Sequence, residues 1–154
     1  MKVEEIMTKD VITVKMDRTV RDVVTLLHDH HMGGIPVVDN TGLLVGVISE
    51  YDIVRLINTK TSKLSLKFPS SHTLGLVFQE SITNREVRDA FNDIADMKIF
   101  EVMIKDVPTM SPNADVSDVA AELRKDHIKR LPIIDDSGKV VGIVTRRDLL
   151  MALI

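Results

Sequence analysis

Short apolar runs and helical spacings follow one another along the first 57 residues. Runs at 11–14, 35–39 and 43–48 predict three strands, and the last, apolar throughout, is expected to be buried on both faces. Between the first two runs, apolar residues recur at helical spacing to about position 30, after Thr19 and Asp22 in the positions of a capping box. With a second helix from Glu50 to about position 57, the predicted order is β-α-β-β-α.

The same pattern returns 96 residues further along the chain. Of the 49 positions from 5 to 53, 17 carry the residue that also stands 96 positions later, including Pro36 and Asp52. Unrelated segments of ordinary composition would share roughly three or four. The chain is therefore interpreted as two copies of one unit, at 1–57 and 99–154.

The second copy is predicted to repeat the elements of the first. Asp115 is expected to cap its first helix, strands are expected at 133–135 and 140–144, and Thr145 is expected to open its last helix. One unit of about fifty-five residues is too small to bury its own strands well. The expected fold is α/β (α+β), with two repeats related by a pseudo-twofold axis and two equivalent clefts where matching ends of the repeats meet.

The insert at 58–98 has no counterpart in either copy. Its first part is rich in Ser, Thr and Lys and is interpreted as a loop, although Phe68 and Phe78 indicate that part of it packs down. Thr83 and Glu86 form a capping-box pattern before an amphipathic helix at about 84–98. This helix is expected to connect the repeats along the core, with a dimer contact or a cleft lid as the alternative.

Composition narrows the classes of function. Cys is absent, which excludes disulfides and thiolate chemistry. The formal net charge is −3 and only five residues are aromatic, so nucleic acid is not expected as a partner. No apolar run is long enough to span a membrane, and no signal peptide is visible. These features predict a cytoplasmic protein without a membrane partner.

Enzymatic activity is not expected, because no catalytic motif is present. The sequence contains no nucleophile elbow, phosphate-binding loop, zinc-protease motif or dinucleotide fingerprint. The cluster His28-Asp29-His30-His31 could offer imidazoles to zinc or nickel, but its spacing does not bring them to one ion. We therefore predict neither a metal site nor a catalytic cofactor.

The tetrapeptides that open the last helix of each copy carry the candidate binding chemistry. Ser49 and Asp52 in the first copy, and Thr145 and Asp148 in the second, have the spacing of a capping box. A helix N-terminus also presents free amides to a phosphate, and a carboxylate can accept both hydroxyls of a ribose. Capping and ligand binding are compatible roles for these side chains.

The repeated motifs resemble the CBS domain, arranged as a tandem pair (a Bateman module). The carrying residues are Ile6-Met7-Thr8 with Val102-Met103, Gly34 to Asp39 with Arg130 to Asp135, and Gly42-x-x-x-Gly46-x-x-Ser49-x-x-Asp52 with Gly138-x-x-x-Gly142-x-x-Thr145-x-x-Asp148. The resemblance implies a non-catalytic regulatory sensor that binds AMP, ADP, ATP or S-adenosylmethionine between its repeats. It also implies a homodimer that signals to a separate effector protein.

The resemblance also implies roles for individual residues. Asp52 and Asp148 would bind ribose hydroxyls, and Ser49 and Thr145 would lie near phosphate. Other side chains could line the ligand: the apolar strand residues could pack on the adenine face, and two threonines lie on the first strands. These are Ile35, Pro36, Leu131 and Pro132, with Thr13 and Thr109.

Basic residues distinguish the two copies where a phosphate would be held. The second copy has Lys129, Arg130, Arg146 and Arg147, where the first has two glycines, Glu50 and Tyr51. Charge-assisted bonds from arginine to phosphate are strong, although the same side chains could be solvated surface cations. We expect one strong, phosphate-tolerant site at Asp148, and a weaker or phosphate-free site at Asp52.

Two classes of function fit these observations. The preferred one is the regulatory module that binds an adenosine-containing ligand. The alternative is a scaffold for protein interaction, with empty clefts and an exposed apolar face on the insert helix.

Overall fold

The computed structural model describes residues 1–60 and 85–154. Two copies of one α/β unit are present, and a β-hairpin followed by a helix is the most regular part of each. In chain order the elements are α1 (Val3–Ile6), β1 (Val14–Lys15), α2 (Val20–Asp29), β2 (Gly34–Val38), β3 (Leu44–Ser49), α3 (Glu50–Lys60), α4 (Arg85–Ala95), α5 (Ile99–Val102), α6 (Val116–Leu123), β4 (Arg130–Ile134), β5 (Val140–Thr145) and α7 (Arg146–Met151).

The sheets follow from the predicted apolar runs. In the first repeat, β2 pairs with β1 in parallel and with β3 in antiparallel orientation, and Gly34 lies opposite Ser49. In the second repeat, β4 and β5 form the same antiparallel pair, with Arg130 opposite Thr145. The hairpin turns contain Gly42 and Gly138 at φ 89° and 86°, values that favour glycine.

The N-terminal segment of each repeat crosses to the other repeat. Thr8 exchanges two backbone hydrogen bonds with Ile143 of β5, at 2.9 and 3.0 Å. Ile104, which lies 96 positions after Thr8, exchanges two with Val47 of β3, at 3.0 and 2.9 Å. The pseudo-twofold relation therefore extends to the bonds between the repeats.

The two hydrophobic cores show the same exchange of segments. Val3 from α1 packs fully buried in the cluster of the second repeat, with Leu123 and Leu131. Ile99 from α5 packs fully buried in the cluster of the first repeat. Neither repeat therefore closes its core with its own N-terminal segment.

The helix of the insert lies on the first repeat, as the connector interpretation predicts. Val87 and Ile94 of α4 are fully buried in the first cluster, and Phe91 and Met97 pack against it. The guanidinium of Arg21 in α2 lies 5.6 Å from the centre of the Phe91 ring, a cation–π contact. Predictions for Phe68, Phe78 and Thr83 fall outside the described residues.

Several boundaries differ from those predicted. The first strand covers only Val14–Lys15, and its counterpart is a single bridge between Met110 and Ile133. Helix α3 extends to Lys60, and α4 ends at Ala95. A strand or helix ends where its pairing partner or its contact with the core ends. The sequence of the segment itself does not specify these two limits.

Two expectations about side chains were also wrong in part. Asp115 occupies the N-cap position of α6, but its carboxylate does not bond the helix amides and pairs with Nζ of Lys2 at 2.8 Å. Strand β3 is fully buried only over Gly46–Ile48, while Leu44 and Val45 are half-buried. The Asp115 carboxylate therefore bonds Lys2 of the first repeat, and it does not cap the helix that follows it.

Gly46 is required by this crossing. A Cβ at Gly46 would lie 2.6 Å from the backbone oxygen of Ile104 and 2.9 Å from Sδ of Met103. A Cβ at Gly142 would meet the side chain of Met7, in the segment equivalent to Met103. Because real Cβ atoms do not approach a backbone oxygen as closely as 2.6 Å, Gly46 lets the N-terminal segment of the second repeat lie against the sheet of the first.

We predict that Gly46→Ala lowers the free energy of unfolding by about 1–3 kcal/mol, since the Ile104 carbonyl cannot yield as a flexible side chain can. Urea unfolding measures the change. Gly42→Asn is the control: the site is open and asparagine tolerates positive φ, so the cost should be below about 1 kcal/mol. Equal stability of Gly46→Ala and the wild type would contradict the prediction.

Candidate ligand-binding clefts

The first candidate cleft lies at the N-terminus of α3, where a capping box is formed. Oδ2 of Asp52 accepts hydrogen bonds from the amide and the hydroxyl of Ser49, both at 2.8 Å. The Asp52 amide lies 3.4 Å from the Ser49 hydroxyl oxygen. Within the described residues, the other carboxylate oxygen of Asp52 has no hydrogen bond, so it remains able to accept one from a ligand.

The second cleft has the same box at the start of α7. Oδ2 of Asp148 accepts from the Thr145 amide at 2.6 Å and from the Thr145 hydroxyl at 2.7 Å. The hydroxyl of Thr8, which belongs to the first repeat, lies 3.5 Å from Oδ1 of Asp148. A distance of 3.5 Å is long for a hydrogen bond between a hydroxyl and a carboxylate, so this contact is weak. The acceptor oxygen of Asp148 therefore lies at the seam between the repeats.

Thr8 lies beside a candidate site residue, Asp148, and the sequence analysis did not assign it to the site. Position 8 is occupied by Thr in one copy and Ile104 in the other, so the repeat gives no sign that its side chain matters. Its place beside Asp148 results from the bridge to Ile143 in the other repeat. Only knowledge of that crossing could have found it.

Arg130 has its backbone beside one candidate cleft and its guanidinium beside the other. Its backbone pairs with Thr145 in the β4–β5 hairpin. Its guanidinium extends to the first repeat and occupies the space where side chains on Gly33 and Gly34 would stand, with Nη2 2.8 Å from the Cβ position of Gly33. The sequence expectation placed Arg130 with Asp148, whereas its charge lies beside the start of α3. The first repeat has Gly33 and Gly34 where the second has Lys129 and Arg130. Because these glycines have no side chains, they leave room for the Arg130 guanidinium.

Glu50, the first residue of α3, turns its carboxyl group into this space. The side chain is 6% exposed, and Oε1 lies 3.5 Å from the Cβ position of Gly33. No described residue bonds Oε2. Burial raises the pKa of Glu50 to about 7, although the charges of Arg130 and Lys129 act in the opposite direction. Burial also lowers the pKa of Arg130, with Glu50 and Asp52 opposing that change.

Arg146 forms hydrogen bonds within the protein. Its Nε donates to the carbonyl of Leu123 at 3.0 Å, and Nη2 lies 3.4 Å from the carbonyl of Lys125. These carbonyls end α6, where a cation is favourable. Contact of Arg146 with a phosphate stays a prediction, and it would require the side chain to leave these partners.

The other predicted site residues differ in accessibility. Lys129 and Arg147 are exposed, and their contact with a phosphate stays a prediction. Thr13 and Thr109 are half-buried, and each lies one residue before the paired position, Val14 or Met110, and not on a strand as predicted. The four apolar strand residues are buried in the hairpins, which accounts for their packing role and leaves contact with adenine as a prediction: these are Ile35, Pro36, Leu131 and Pro132.

His28, His30 and His31 are exposed, and over 1–60 and 85–154 no group of His, Asp and Glu side chains is arranged to hold a metal ion. Among the helices of those same ranges, none combines the length and apolar character that crossing a bilayer requires.

Because the pKa of Glu50 is raised from 4.5 to about 7, the folded chain holds a proton that the unfolded chain releases between these values. The Glu50 carboxyl group therefore contributes most to the free energy of unfolding below pH 4.5, and this contribution is lost as pH rises through 7. We predict that Glu50→Gln is more stable than the wild type by about 1–3 kcal/mol at pH 8, with a smaller difference at pH 5. Urea unfolding at both pH values measures this.

The exposed Glu4 provides the control for that measurement. Glu4→Gln also removes one carboxylate, but from an exposed position, so the free energy of unfolding should change by less than about 0.5 kcal/mol. If the stability difference between Glu50→Gln and the wild type were the same at pH 5 and pH 8, the buried carboxyl group would not titrate as described.

Comparisons with known proteins agree with this architecture. The family model for the CBS domain matches residues 3–59 and 99–154. Protein MJ1426 of Methanocaldococcus jannaschii is 36% identical over 155 residues, covering 100% of this chain and 92% of the relative. The inosine-5′-monophosphate dehydrogenase of the same organism is 30% identical over 149 residues, but these are only 23% of its length.

Solved structures share the fold. CBSX2 in complex with AMP has a TM-score of 0.71 at 24% identity, over 99% of this chain and 95% of CBSX2. The CBS domain pair of protein MJ0100, in complex with 5′-methylthioadenosine and S-adenosyl-L-methionine, has a TM-score of 0.67 at 24% identity, over 99% and 95% of the two chains. With two matched repeats, crossed as described, the chain belongs to the CBS-domain family as a CBS pair.

Proposed function

We propose that this CBS pair is a non-catalytic regulatory module that binds an adenosine-containing ligand in the clefts between its repeats. The candidate ligands are AMP, ADP, ATP and S-adenosylmethionine. The observation that carries the proposal is the position of Asp148: one carboxylate oxygen caps α7, and the other lies at the seam, 3.5 Å from the Thr8 hydroxyl of the other repeat. An acceptor held in this way suits the paired hydroxyls of a ribose.

The relatives support the same class of ligand. Two of the solved structures that share this fold hold adenosine compounds, one with a phosphate and one without. CBS pairs are generally regulatory modules without catalytic activity. A ligand can regulate such a module only if it binds one of its conformations more tightly than another. A ligand that contacts Asp148 and Thr8 together would stabilise one arrangement of the two repeats. The signal would pass to a separate effector protein.

The two clefts are proposed to differ in affinity for phosphate. Arg147 and Lys129 are exposed on the second repeat, so a phosphate near Asp148 would find cations. At the start of α3, the ionised carboxyl group of Glu50 would repel a phosphate, while the Arg130 guanidinium would attract it. We expect the Asp148 cleft to be the stronger phosphate site and the Asp52 cleft to favour a ligand with less negative charge.

A homodimer is proposed from the outer surface of the second repeat. Val54 in α3 is 2% exposed beneath α4, whereas Leu150, its equivalent in α7, is 66% exposed. Met151 is also exposed, at 57%. Covering this apolar surface with a second copy would remove it from water, which is the usual driving force of association.

The scaffold alternative has lost its expected signature over the described part of the insert. That alternative predicted an exposed apolar face on the insert helix, and the apolar residues of α4 are buried against α2 and α3. The regulatory module is therefore the better-supported function.

We predict that a thermal-shift screen with AMP, ADP, ATP, S-adenosylmethionine and NAD finds at least one stabilising adenosine ligand. At 100 times Kd, a ligand that binds only the folded state stabilises it by roughly 2.7 kcal/mol, which raises Tm measurably. GTP serves as the control for non-specific anion binding. No shift with any adenosine compound would favour the scaffold.

We predict that Asp148→Ala weakens binding of the ligand found in that screen about tenfold or more, because hydrogen bonds to a charged acceptor are lost. The variant also loses a capping box, at a cost of about 1 kcal/mol. Asp22→Ala is the matched control: Asp22 forms the same box with Thr19 at the start of α2, away from the clefts.

The two variants should be about equally destabilised, while only Asp148→Ala loses affinity in isothermal titration calorimetry. Unchanged affinity in Asp148→Ala would remove the ribose assignment. A similar loss of affinity in both variants would show that the effect comes from stability and not from contact.

A further inference from the structure

Glu50 is an unusual group for the position it occupies. It is the only charged side chain that is buried within the described residues, and Oε2 has no hydrogen-bond partner there. Capping of α3 does not need it, because Ser49 and Asp52 form the box without it. A buried carboxyl group without a partner costs stability, and neither the fold nor the ribose site described above requires one.

The space around Glu50 is built by both repeats. Gly33 and Gly34 have no side chains, and the Arg130 guanidinium of the second repeat fills the room that they leave. Oε1 of Glu50 and Nη2 of Arg130 both lie close to the Cβ position of Gly33, at 3.5 Å and 2.8 Å, and the two side chains form no ion pair within 4.0 Å. The charged groups that face Glu50 are Arg130 and Lys129, and Asp52 faces Arg130 in turn.

The second cleft has no equivalent of this carboxyl group. Arg146 stands in the position of Glu50, and its guanidinium is held by carbonyls at the end of α6. Arg130 itself stands in the position of Gly34. The pseudo-twofold therefore relates a helix that begins with a buried carboxyl group, at Glu50, to a helix that begins with a guanidinium, at Arg146.

We propose that Glu50 and Arg130 determine which adenosine ligands the first cleft accepts: Glu50 takes up a proton from solvent when a phosphate-bearing ligand binds there, and ligands without phosphate bind without this proton. The proposal rests on the proposed function. The phosphate would lie at the start of α3, near Ser49 and the Arg130 guanidinium. Its negative charge, together with the engagement of Arg130, disfavours a carboxylate at Glu50 and favours the neutral acid.

The direction of the pH dependence follows from linkage. Near neutral pH the carboxyl group of the ligand-free protein is partly ionised, since its pKa is about 7. Binding of a phosphate that requires the protonated form must then weaken as pH rises above 7. A ligand such as 5′-methylthioadenosine, which has no phosphate, has no such requirement.

Isothermal titration calorimetry of the full chain at pH 7.5, in HEPES and in Tris, measures the protons taken up per AMP bound. At this pH the AMP phosphate, with a second pKa near 6, is almost fully ionised and contributes little. We expect the wild type to take up protons on binding AMP in the first cleft, up to one per AMP bound. Glu50→Gln should take up almost none and should bind AMP at least as tightly.

The wild type alone also tests the proposal, in case Glu50→Gln does not fold. Its AMP affinity in the first cleft should fall by up to about tenfold per pH unit between pH 7.5 and 8.5, whereas its affinity for 5′-methylthioadenosine should stay constant. Equal pH dependence for the two ligands would overturn the proposal.

Failure of this proposal is distinct from failure of the proposed function. If AMP binds but proton uptake is absent, or is the same in Glu50→Gln as in the wild type, the role of Glu50 is wrong and the ligand-binding function stands. If neither AMP nor 5′-methylthioadenosine binds at pH 6, where Glu50 is protonated, both proposals are wrong.

Discussion

The crossing of the N-terminal segments is the interaction on which the rest of this structure depends. Four backbone hydrogen bonds, between Thr8 and Ile143 and between Ile104 and Val47, tie each segment to the sheet of the other repeat. Val3 and Ile99 then fill the core of the repeat to which their segment has crossed. Each repeat is too small to bury its strands alone, so folding of one repeat depends on the other.

The clefts inherit this shared construction. Asp148 lies beside Thr8 and Glu50 lies beside Arg130, so each pairing joins one repeat to the other. In the proposed function, a ligand that bonds either group would contact both repeats, so its affinity would depend on their relative position. This gives a physical route from binding to a change of shape, since the contacts available to the ligand depend on how the two repeats are arranged.

The sequence could predict whatever is determined by near neighbours along the chain. The capping boxes of Asp22, Asp52 and Asp148, the two hairpins and the buried face of α4 were all accessible from spacing and repetition. Contacts across the seam were not. The sequence did not show that the Arg130 guanidinium reaches Gly33 and Gly34 of the other repeat. It also did not show that carbonyls at the end of α6 hold Arg146, whose contact with a phosphate stays a prediction. Repetition at a fixed offset shows that two segments have the same shape, but it does not show which core each of them completes.

The exchanged segments also bear on how such a chain could have arisen. A protein with a single copy would have had no second repeat to supply the equivalent of Val3 to its core, and two separate chains would have had to trade their first residues, as in a domain-swapped dimer. Duplication within one polypeptide makes that trade intramolecular, so completion of the fold no longer depends on protein concentration. Once both halves are encoded separately, substitutions such as Arg130 in place of glycine can accumulate on one side only, which an assembly of identical chains could not allow.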